Sequence, residues 1–155
     1  MRAAAALTLL VLGACGPVEE STTIGGTTFS NDGADGTATI SNERGSISAS
    51  DGAAAANTEF PAFAPQYPGS TVESALVTNT ASGERTMATL VTDDEMAKVV
   101  EFYRDKFTEA GLEIGTSYTV DDSAMLSAEG GGKKASVTGG KQNGRTSFAL
   151  SFSGG

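Results

Sequence analysis

The chain has no histidine and no tryptophan, and its 155 residues include a single cysteine. Without histidine there is no Ser-His-Asp or Cys-His catalysis, no histidine-bound zinc and no ordinary near-neutral proton shuttle. One cysteine excludes an internal disulfide. Basic residues are also scarce, ten against nineteen acidic, for a formal charge of −9. Nucleic-acid binding needs a basic face to displace counterions from phosphates, so that function is set aside. Direct electrostatic attraction to an anionic bilayer is disfavoured for the same reason. Few aromatics and twenty glycines leave material for only a small core. Carboxylate chemistry is what remains. However, Asp93-Asp94 is explained by a helix start and Asp121-Asp122 by a turn. Asn31-Asp32 and Asp35-Gly36 lack the spacing of a calcium loop. Catalytic, cofactor and metal residues are therefore all expected to be none.

The first fifteen residues read MRAAAALTLLVLGAC. Arg2 precedes an apolar run from Ala3 to Leu12, a length that fits a signal peptide and is too short to span a bilayer. The run ends in Leu12-Gly13-Ala14-Cys15, which resembles the lipobox of bacterial lipoproteins. That resemblance implies cleavage before Cys15 and acylation of its thiol and new amino group. Each buried methylene contributes about 0.8 kcal/mol, so several acyl chains would hold the protein at the membrane permanently. Cleavage also removes Arg2, leaving nine basic residues against nineteen acidic ones. Gly16, rather than aspartate, follows the cysteine. By the same resemblance this favours the outer membrane, facing the periplasm. Residues 1–14 are thus read as the signal peptide.

Residues 15–58 are read as a lipid-anchored, low-complexity flexible tether. Of the 43 residues from Gly16 to Thr58, 30 are Gly, Ser, Thr, Ala or Asn, so little surface is there to offset chain entropy. Thr37–Ile40 and Ser46–Ala49 have some strand character, so a hairpin leaning on the domain is the alternative.

Residues 59–155 are read as a small α+β domain. Its centre is Thr92–Gly111, where Met96, Val99, Val100, Tyr103, Phe107 and Ala110 follow helical spacing. Thr92 and Glu95 are spaced as a capping box, and Gly111 supplies the left-handed stop. Strand-like runs flank it: 71–79 and 84–91 before, then 112–120, 124–128, 133–138 and 146–153 after. In 112–120 the alternation puts Leu112, Ile114, Tyr118 and Val120 on one face, with Glu113, Ser117 and Thr119 on the other. Met87 and Val91 oppose Ala88 and Leu90, as in a central strand covered on both sides, with 60–67 as the second cover. Asn143-Gly144 is a hairpin signal. The expected fold is a mostly antiparallel sheet of five to six strands in the order β-β-α-β-β-β-β, with one amphipathic helix on one face.

Tyr67-Pro68-Gly69-Ser70, Phe102-Tyr103 and Ala110-Gly111 resemble a small domain found in uncharacterised bacterial lipoproteins and secreted proteins. The likeness covers about residues 66–153 and implies a fold without implying an activity.

Three residues stand out as interaction candidates. Phe102 lies off the apolar stripe of the helix, covered either by Phe60, Phe63 or Tyr67, or by a partner. Lys133 and Lys134, with Lys141 and Arg145, collect four basic residues in adjacent strands and could meet an anionic partner. Solvated edge lysines are the plainer reading. Gly130-Gly131-Gly132-Lys133 does not fit a phosphate loop, since Ser127 stands where its first glycine belongs. The reading is a non-enzymatic envelope lipoprotein that binds a protein or envelope polymer and needs no cofactor. The alternative is a small carboxylate-dependent hydrolase or lyase.

Overall fold

A computed structural model describes residues 19–33 and 36–154. Cys15, the signal segment and Asp35 lie outside the described residues. The elements are β1 (Glu19–Ile24), β2 (Thr27–Asp32), β3 (Thr37–Asn42), β4 (Gly45–Asp51), a single turn of helix α1 (Gly52–Ala55), β5 (Thr71–Thr80) and β6 (Gly83–Thr92). The helix α2 (Met96–Glu109) follows, and then β7 (Glu113–Val120), β8 (Ser123–Gly130), β9 (Lys133–Gln142) and β10 (Arg145–Ser153).

All ten strands form one antiparallel sheet in the order β1-β2-β3-β4-β5-β6-β10-β9-β8-β7. The α+β class and the order of elements after residue 70 match expectation. The count of five to six strands does not, because β1–β4 extend the sheet through the stretch read as tether. The strands there are Ser, Thr and Ala with few large side chains, so they carry little of the apolar alternation that announces a strand.

The chain crosses from β6 over the sheet through α2 to the far edge. It then meanders back until β10 pairs with β6, Thr92 opposite Thr146 and Arg85 opposite Ser153. The helix packs on β7, β8 and β9. Val99, Tyr103 and Phe107 meet Leu126, Val137, Phe148 and Leu150, and all are at most 1% exposed. That filled space is the core.

Three details of the sequence reading change. The helix begins at Met96, with Glu95 as N-cap and no side-chain cap. Thr92 instead ends β6, buried opposite Thr146, and the Asp94 amide donates to its hydroxyl at 3.3 Å. At the other end Gly111 has φ +76, and the Leu112 amide donates to the Phe107 carbonyl at 2.9 Å, so the expected glycine stop is present.

A bulge between Ile114 and Thr116 shifts the β7 register by one residue. Ile114 stays on the helix side, but Tyr118 and Val120 turn away from it, and Ser117 turns towards it to accept from Arg104 Nη2. One inserted residue reverses every side chain beyond it. Finally, residues 60–67 lie on the helix side, where Phe60 and Phe63 meet Phe152 and Tyr67 meets Phe148. They do not cover Met87, which is 44% exposed on the opposite face.

Candidate binding cleft

The start of β6 and the end of β10 are neighbours in the sheet, and Glu59-Phe60-Pro61 passes above them. Between these pieces lies an open cleft of about 740 Å³, lined by Phe60, Phe152, Arg85, Lys134 and Glu84, among others. That volume is within the usual range for small-molecule sites. Phe60 and Phe152 make its apolar wall, their ring centroids 5.9 Å apart. Glu84 Oε2 accepts from Asn79 Nδ2 at 2.9 Å, and Lys134 pairs with Glu129 at 3.3 Å. Arg85 makes no ion pair or side-chain hydrogen bond among the described residues and is exposed. Phe152 shares the helix side with Thr86, its partner across the seam, whereas Arg85 and Lys134 leave their strands on the opposite face. The cleft, at the strand ends, thus has an aromatic wall on one side and an uncommitted guanidinium, a planar fork suited to a carboxylate or phosphate, on the other.

A second, smaller cleft of about 330 Å³ opens at the other end of the sheet. It is lined by Asp93, Asp94, Glu95, Asp121, Asp122 and Lys141. Among the described residues no group of His, Cys, Asp and Glu is arranged to hold a metal ion. Arg145 Nε binds Asp93 at 2.8 Å, and Lys98 binds Asp94 at 3.1 Å. Hydrogen bonds from Lys98 and from Tyr67 hold the Asp94 carboxyl below its ordinary range. Burial, together with that contact to Asp94, pushes the Tyr67 phenol up to about 12.

The sequence-predicted candidates do not converge. Phe102 is half-buried and packed by Tyr67 and Tyr103, with edge-on rings at 5.2 and 5.1 Å. Lys133 stands 5.5 Å from the centre of the Phe63 ring, on the helix side of the sheet. Lys134, next along β9, points to the other side. Lys141 and Arg145 belong to the opposite end of the strands. Seven residues at about 3.4 Å each separate Lys141 from Lys134 by roughly 24 Å, so the four basic residues make no single patch. Of the three candidates only Lys134 lines the larger cleft. Sequence reasoning missed Arg85 because nothing local marks it; its setting comes from the long-range pairing of β6 with β10.

Residues 72–145, from β5 to the first residue of β10, match the model of a START domain-like family. No curated protein and no solved structure matches the chain. The similarity covers α2 and β5–β9, and it leaves out β1–β4 and all but the first residue of β10.

Proposed function

We propose that the protein is a non-catalytic binding module, held by an acylated Cys15 at the outer membrane and facing the periplasm. It takes an amphipathic ligand or the end of an envelope polymer in the Phe60–Phe152–Arg85 cleft. The observation that carries this reading is the Phe60–Phe152 aromatic wall of the cleft, with the uncommitted Arg85 lining it from the other side of the strand ends. Similarity to a START domain-like family supports a ligand-binding role. A carboxylate-dependent hydrolase is the weaker reading. A general acid needs its carboxyl raised towards neutrality, whereas Asp94 in the acidic cleft is pulled the other way.

Two measurements test the two parts. The mass of detergent-extracted protein should begin at Cys15 and exceed the peptide by several acyl chains, and Cys15→Ala should leave the membrane or stay unprocessed. An unmodified N-terminus elsewhere rejects the anchor. Native mass spectrometry of the same extract should show a further bound mass that is lost in Arg85→Glu. A wild-type protein that stays empty in an excess of envelope lipid and glycan extracts rejects the binding role.

A further inference from the structure

We propose that the sheet face turned away from α2, across β1–β6, is where two copies of this chain stack on each other. In β3 and β4 the usual amphipathic order is inverted. Thr37, Thr39 and Ser41 are half-buried, while Ala38 and Ile40 between them are exposed. The register continues that exposed face across the sheet, with Phe29 opposite Ile40, Ile40 opposite Ile47, and Ala49 opposite Leu76, itself opposite Met87. With Ile24 at the end of β1, six large apolar side chains share this face, and each is 39–68% exposed. No described residue of β1–β4 is buried on either face. Four strands need an apolar face covered to be stable, so a cover is required.

The chemistry of the face selects a second copy. Charged side chains on it stand at the margins of β1–β6: Glu20, Asp51 and Arg85, with Glu73 exposed at the β5 bulge. In a chain of net charge −9 this is a region where identical surfaces meet without repulsion. Six strands about 4.8 Å apart and about 20 Å long offer roughly 600 Å² per copy. Two copies then bury roughly 1,200 Å², the lower end of specific interfaces. Sheets twist, and two twisted sheets pack face to face at about −30°, whereas a flat bilayer touches a twisted sheet along one line. The stacking is isologous, with β3 and β4 near the two-fold axis. It is independent of the anchor, and it meets the cleft only at Arg85, on the margin of the face.

The test uses the full chain with Cys15→Ser, so that an introduced cysteine is the only thiol. Sedimentation at micromolar concentration should give twice the chain mass, and Ile40→Lys should halve it with the circular dichroism spectrum retained. Facing sheets lie about 10 Å apart, so a bismaleimide of that span should link Ile40→Cys copies. It should leave Ser30→Cys copies, exposed on the opposite face, unlinked. A wild-type chain that stays single at high micromolar concentration overturns the proposal, and so does equal linking from Ser30→Cys. A single chain that floats with phosphatidylcholine vesicles assigns the face to lipid and equally overturns it.

Discussion

The ring of Tyr67 stands edge-on to that of Phe102, centroids 5.2 Å apart and planes at 80°. The off-stripe aromatic of the helix therefore has an internal cover, and burying its ring contributes to stability. Phe102→Ala should lower the unfolding free energy by about 1–2 kcal/mol. Phe107→Ala, with no exposed surface, should cost about 3–5 kcal/mol. Urea denaturation measures both. An unchanged midpoint for Phe102→Ala would return that residue to the list of partner contacts.

The same tyrosine sets a pH limit. Its phenol titrates at about 12 in the folded chain against an ordinary 10, so the protonated form is favoured on folding. That contribution is fully present below pH 10 and is lost as pH rises from 10 to about 12. Tyr103, whose hydroxyl donates to the Pro65 carbonyl at 2.9 Å, is raised mainly by burial and acts in the same direction. Asp94 has the opposite sign. Its contribution is present above 3.8 and is lost as pH falls through its lower folded value. Melting temperature should thus fall at both extremes, and Tyr67→Phe should soften the alkaline fall.

Gly139 lies opposite Phe148, and a Cβ there would overlap the Phe148 Cβ and the Ser147 carbonyl oxygen. Two strand backbones would have to move apart, so Gly139→Ala should cost about 1–3 kcal/mol. Gly115→Ala is the control, because its added carbon meets only Ser127, the hydroxyl at an ordinary 3.5 Å and the carbonyl oxygen at 4.0 Å. Thermal melts of the two variants should differ by several degrees.

A chain starting at residue 52 should still melt cooperatively, because no described side chain of β1–β4 is buried. Starting at residue 60 instead also removes Ala55, which is 0% exposed in the core, and should melt lower. If the first truncation does not fold, the four outer strands supply more than they bury.

The helix was legible because six apolar side chains recur at 3.6-residue spacing, and five of them, Met96 to Phe107, are buried. The Asn143-Gly144 turn was legible too, since both residues take positive φ, at 52° and 85°. The β7 bulge was not, because Gly115 gives no sign in its neighbours that it will be skipped in pairing. Nor were β1–β4, whose serines and threonines are equally at home in a solvated loop. Arg85 could not be found locally, since its neighbours come from β10, 68 positions along the chain at Ser153.

The β6–β10 seam has a kinetic meaning. Every other pair of neighbouring strands is joined by a short connection or, for β4 and β5, by residues 52–70. Two strand meanders can therefore each zip up locally, whereas their union must close a loop of more than fifty residues, from Thr92 to Thr146. Loop closure of that length is slow relative to hairpin formation, and it precedes the burial of Leu90 against Phe148 that rewards it. The step expected to limit folding is then the meeting of the two meanders along one seam. Substitutions there should slow refolding, whereas those in β1–β4 should leave its rate unchanged.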